Sequence, residues 1–343
     1  MSGTRRLVLR LWLGALAATL VTLTGAVVAI ELGRRDAEAL RGGEAPAREG
    51  LAAARQALVA ADSEAVAQFR DSPGGTPAAG PGETYREAIA TAGRQLAQVS
   101  QADIGGPATE SVQVVNGLLS TYDVRVDQAF RETVDPDLQL AYLQYAHRFL
   151  DEEILPQLAT LQGEVDQAQP ASPGGERHVL WVVPLVVLAG LLGRAQVVLA
   201  SRFRRTLSAP LLAASLLAAG LAVTATLSRE ADGDVTAGRA TLAALVGDYR
   251  TKETGIRSGG CGALNEVSRG WGDPDTVCPP KGPTPASDRE LLRKANEVSM
   301  TAQDATAVAS RGIVLAIVLS ALIALLVTLG LLPRVEEYRF RRR

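Results

Sequence analysis

Histidine, cysteine and lysine are scarce in this chain. Its 343 residues hold two histidines (His147 and His178), two cysteines, and three lysines (Lys252, Lys281, Lys294) among 35 basic residues. So few histidines exclude a histidine-rich metal centre and make a Ser-His-Asp triad a poor fit. No G-x-x-x-x-G-K-[ST] phosphate loop occurs, nor a G-x-G-x-x-G after a strand, and the glycine pairs fall in linkers. The acidic run Asp151-Glu152-Glu153 would point three ways on a helix, so it reads as a solvated face rather than paired catalytic carboxylates. The expectation is a protein that is not an enzyme and carries no cofactor or metal. A net charge of −2 gives no ground for a nucleic-acid partner either.

Aromatic residues are also few, at 4%, although 47% of the chain is hydrophobic, so the apolar content comes from Ala, Leu and Val. It is concentrated in four runs at 7–30, 179–200, 207–228 and 312–332. Each has about the 20 residues that a helix rising 1.5 Å per residue needs to cross a hydrocarbon core. Arg10 and Arg194 lie toward the ends of their runs, where a long side chain reaches the headgroups. The second run contains Pro184 and is the least regular. The first resembles a signal peptide with Val27-Val28-Ala29 as a cleavage site, but its apolar length favours an uncleaved anchor.

Charge orients these runs. Residues 1–10, 194–206 and 333–343 carry twelve arginines against Glu336 and Glu337, whereas 31–178 holds 23 acidic and 12 basic residues. By the positive-inside rule this is a four-span integral membrane protein in the lipid bilayer with both termini cytoplasmic. Its expected parts are a cytoplasmic N-terminus (1–6), an extracytoplasmic domain (31–178), a basic inner loop (201–206), a second extracytoplasmic segment (229–311) and a basic tail (333–343). None of the spans has an acidic residue in its middle, which argues against a transporter.

The fold class expected is all-α. Four apolar stripes recur at helical spacing in the first outer segment: Leu51 to Phe69, Tyr85 to Val99, Val112 to Phe130, and Leu140 to Leu161. They predict a four-helix-bundle-like domain, with turns at 71–84, 104–107 and 134–136, and Pro156 kinking the last helix or starting a new turn. The second outer segment predicts a smaller helical hairpin around Leu242, Leu245 and Tyr249 and around Leu291, Leu292, Ala295 and Val298. Between them, GGCGALNEVSRGWGDPDTVCPPKGPTP reads as irregular, with Cys261 and Cys278 forming a disulfide.

Several stretches resemble one family. AYLQYAHRFLDEEILPQLATLQ (141–162), ARQALVAADSEAVAQFR (54–70), RFRRTLSAPLLAASL (202–216) and the closing LPRVEEYR (332–339) are similar to the GlnX membrane proteins of actinobacteria. The resemblance implies a relay: an extracytoplasmic amino-acid-binding lipoprotein of the GlnH type senses glutamate, aspartate or related amino acids, and the membrane protein passes its state to the cytosolic Ser/Thr protein kinase G. On this expectation Tyr142, Tyr145 and Arg148 are candidate outer contacts. The candidate output surface is Arg202, Arg204 and Arg205 with Arg334, Glu336, Glu337, Tyr338 and Arg339. Two other readings stand beside it. One is a chemoreceptor-like sensor that binds a small molecule directly, with Arg125 or Arg148 holding a carboxylate. The other is a structural or assembly protein of the cell envelope.

Overall fold

A computed structural model describes residues 2–71, 80–102, 106–132, 135–168, 174–203, 209–268 and 286–340. Every regular element among them is helical: α1 (Ser2–Ala39), α2 (Ala45–Arg70), α3 (Glu83–Gln101), α4 (Gly106–Arg131), α5 (Pro136–Phe149), α6 (Leu155–Ala168), α7 (Gly174–Phe203), α8 (Ala209–Ser268) and α9 (Asp288–Phe340). Two widened π turns, Leu40–Glu44 and Leu150–Ile154, join α1 to α2 and α5 to α6. Each ends two residues before a proline, Pro46 or Pro156. A proline has no N–H to donate, and its ring collides with the carbonyl four residues back, so a wider turn lets the helix continue.

The described chain separates into two compact units. One comprises Ala39–Pro170 and Ala237–Met300; the other comprises Met1–Glu38, Ala171–Thr236 and Thr301–Arg343. In the first unit the expected stripes are the core: Leu51, Leu58, Tyr85, Leu96, Val112, Tyr122, Val126, Leu143, Ile154 and Leu161 are all buried in one cluster. Gly50 lets α2 approach α3 closely, because a Cβ there would fall 2.7 Å from Val99 Cγ2. Asp135 starts α5, its carboxylate accepting from the backbone N–H of Asp137 at 2.9 Å and of Leu138 at 3.4 Å, with Pro136 at the first helical position.

The second outer segment belongs to this same unit rather than to a hairpin apart. Leu264 of α8 joins the core cluster. Ion pairs fasten α8 to α2 and to the π turn before it, with Arg239 Nε 3.1 Å from buried Glu44 and Arg55 Nε 2.8 Å from Glu253. Lys294 of α9 reaches Asp248 of α8 at 2.5 Å, and Lys252 pairs with Asp288. The glycine-rich start of the cysteine loop, expected to be irregular, is helical as far as Ser268. Packing explains the difference: a Cβ on Gly260 would sit 3.3 Å from Ser63 Cβ, so glycine admits α8 against α2, and tertiary contact outweighs glycine's low helix propensity. Cys261 is buried on this helix and is disulfide-bonded, whereas Cys278, its expected partner, lies outside the described residues.

In the other unit Ala15, Leu188, Leu192, Ala214, Ala218, Ile323 and Val327, from α1, α7, α8 and α9, bury one another. Small residues at the contacts suit helices packed in lipid, where association relies on close approach. Two helical runs, Leu13–Arg70 and Asp288–Leu329, contain stretches long and apolar enough to cross a membrane, with mean hydropathy 2.1 and 2.9. Among the described residues these are the two runs that meet this test, against the four expected. Val182–Arg194 is a shorter apolar helix, and within 207–228 only the side chains of 213–220 are described.

Candidate functional site

A polar chain runs through the otherwise apolar core of the first unit. Asp62 sits on α2 between core residues Leu58 and Ala65, and is itself buried. The buried Tyr122 of α4 donates its hydroxyl to Asp62 Oδ1 at 3.1 Å. His147 of α5 places Nδ1 2.6 Å from Asp62 Oδ2. The other ring nitrogen of His147 lies 3.9 Å from Asp151 Oδ2, and Arg257 of α8 holds that same oxygen at 2.6 Å. Tyr85 of α3 extends the theme, donating to Asp123 of α4 at 3.1 Å.

The geometry follows from helical spacing. His147 falls on the stripe Leu143, Ala146, Leu150, so α5 must turn it inward, and an inward histidine requires a partner. Asp62 lies on the same face of α2 as Leu58 and Ala65 and supplies that partner. Burial opposes charge on His147, but the hydrogen bond and the charge of Asp62, with Asp151 adding to them, outweigh it. The imidazole therefore titrates above its ordinary value even though Arg257 pulls it down. Burial and the Asp62 carboxylate push the Tyr122 phenol well above its usual range, so it stays a donor. Such networks join helices cooperatively when every member is satisfied. This one links α4, α2, α5 and α8. Among the described residues no group of histidine, cysteine and carboxylate side chains has a metal-holding arrangement.

The expected outer contacts divide. Tyr142 is partly buried against the core, so its ring packs inward. Tyr145 is 50% exposed and Arg148 is exposed. The Arg125 guanidinium stacks on Tyr145 at 4.3 Å and on Phe149 at 4.0 Å, leaving its buried Nη1 without a hydrogen bond. Of the expected output surface, Arg204 and Arg205 lie outside the described residues. Arg202 lies on α7, and Arg334, Glu336, Glu337, Tyr338 and Arg339 on α9, with side chains outside the described set. Asp62, His147 and Arg257 are not among the site residues expected from the sequence, although the position of His147 on an apolar stripe is a visible signal.

Residues 36–171 match the family described as Actinobacterial sensor domain, which takes in Asp62, Tyr122, His147 and Asp151 but stops short of Arg257. The match covers somewhat under half of the chain, and it supports a sensing or signalling role for a protein of actinobacterial type. No curated protein and no solved structure matches the chain.

Proposed function

We propose that this protein is a non-enzymatic transmembrane signal transducer. Its sensor-like unit lies outside the cell and its basic tail inside, with four spans between. The observation that carries the proposal is the chain Tyr122–Asp62–His147–Asp151–Arg257, which runs through a unit matching a sensor domain and ends on α8. α8 and α9 each supply residues to both compact units. A small rotation or shift of such helices is an established way to carry a change between regions, provided that the stimulus favours one of two arrangements. The charge asymmetry of the sequence supports the orientation.

In its specific form, the proposal is that an extracytoplasmic amino-acid-binding lipoprotein docks on the outer unit and a cytosolic Ser/Thr protein kinase reads the inner surface. The resemblance to GlnX proteins supports this form, and a Cys261–Cys278 disulfide would be consistent with an outer location. Cross-linking in intact membranes followed by purification of the full chain tests it. Recovery of both an outer binding protein and a cytosolic kinase is expected. Recovery of neither, with the protein properly inserted, would overturn the relay.

A further inference from the structure

Beyond a relay between partners, the outer unit contains an open cleft of its own. Its volume is about 520 Å³, within the roughly 300–1,000 Å³ common for small-molecule sites. α8 lines one wall with Arg250, Thr254 and Arg257, which at spacings of four and three share one helix face. α2 contributes Arg55, and α6 contributes Gln162 and Asp166 with Gly163 between the two walls.

The charges in this cleft differ in availability. Arg55 is engaged by buried Glu253, Arg257 by Asp151, and Asp166 by Arg48 at 2.9 Å. Arg250 is exposed and has no ion-pair partner among the described residues. A planar guanidinium with its donors open, beside the Gln162 amide, matches a carboxylate, while the Thr254 hydroxyl donates to the Arg250 carbonyl at 2.9 Å. Glu253 and Asp166 disfavour an ion as highly charged as phosphate in the same space. The floor is built from small residues: Ala159 is exposed, and a Cβ on Gly163 would meet nothing within 4 Å.

We infer that this cleft binds a small organic carboxylate, with Arg250 holding the carboxylate and Gln162 and Asp166 receiving a second polar group of the ligand. Arg257 gives the site a route to the core network, because the side chain lining the cleft is the one paired with Asp151.

The test is thermal unfolding of the full chain in lipid nanodiscs with lactate, 3-hydroxybutyrate or 4-aminobutyrate, using lactamide, inorganic phosphate and chloride of equal ionic strength as controls. At least one carboxylate should raise the melting temperature saturably, and lactamide should not. Arg250→Ala should weaken the apparent affinity by about tenfold or more, as loss of a hydrogen bond to a charged group implies. Gly163→Leu, whose Cβ would meet no atom within 4 Å and whose branched end adds bulk to the cleft lining, should abolish the shift, while Arg131→Ala, a surface change elsewhere, should preserve it. The inference is overturned if none of the three carboxylates exceeds chloride, if phosphate alone binds, or if Gly163→Leu responds like the parent protein. Because no partner is present, failure here leaves the cross-linking result for the relay unaffected.

Discussion

The two units of this molecule expose opposite kinds of residue. The sensor-like unit hides Leu96, Tyr122, Leu143 and Leu161 and leaves most of its charged side chains at the surface. The other unit exposes Leu20, Val21, Leu216, Val314 and Leu329 while it hides Ala214, Ala316 and the hydroxyls of Thr19, Thr22 and Ser320. Thr19 and Thr22 return their hydroxyls to the carbonyls of Ala15 and Ala18, each at 2.7 Å, so these buried polar groups are satisfied within their own helix. One unit is organised against water and the other against hydrocarbon. The same amino-acid change should therefore have different effects in each.

The largest contrast is in leucine truncation. Leu161→Ala empties a fully buried core position and should destabilise the sensor-like unit by about 2–5 kcal/mol, read by chemical denaturation. Leu329→Ala, at a position 58% exposed, should leave that transition unmoved. Next comes an added charge. Leu322→Arg, on the outward face near the middle of the last apolar run, should oppose insertion by about 2.5–3.5 kcal/mol, measured as the membrane-integrated fraction. Val124→Arg, at 65% exposure on the sensor-like unit, should change stability by no more than about 0.5 kcal/mol.

Smaller effects sharpen the account of the polar chain. Asp62→Ala leaves the Tyr122 hydroxyl and the His147 ring without their acceptor and should destabilise by about 1–3 kcal/mol, whereas Asp137→Ala at the surface should not. The raised titration of His147 also fixes a pH dependence. Below about pH 6.5 the unfolded imidazole is charged too, so the stabilisation from Asp62 is fully present. It is lost as pH rises through the higher native value. Melting temperature should therefore fall from pH 6.5 upward, and His147→Gln should flatten that slope. The smallest change should be Ser320→Ala. Its buried Oγ has no hydrogen-bond partner among the described residues, so removal should be neutral or stabilise by up to about 1 kcal/mol, seen as unchanged or improved detergent resistance.

How far the sequence reveals this depends on how local each signal is. The apolar stripes are local, and Tyr85, Leu96, Val115 and Leu158 fall inside the core where a 3.6-residue period puts them. Asp135 and Pro136 mark a helix start for equally local reasons. Leu292, expected on an inward face, is 65% exposed, because Leu291 and Val298 take the contact instead. The helix through GGCG depends on Ser63, far away in sequence, and no composition rule contains that contact. The site is less legible still. His147 and Asp62 stand 85 residues apart, and Arg257 joins them from a segment expected to fold separately. Tyr145 was legible as an exposed aromatic, but its stacking on Arg125 was not.

The central claim is that one chain presents its sensor-like unit and its basic tail on opposite sides of a membrane. Impermeant maleimide labelling of intact cells tests it most directly, using Arg131→Cys in the outer unit and Arg343→Cys in the tail, each in a background with Cys261 and Cys278 replaced by serine. The account predicts that Arg131→Cys labels in intact cells and Arg343→Cys only after lysis. Labelling of both positions from the same side would contradict it.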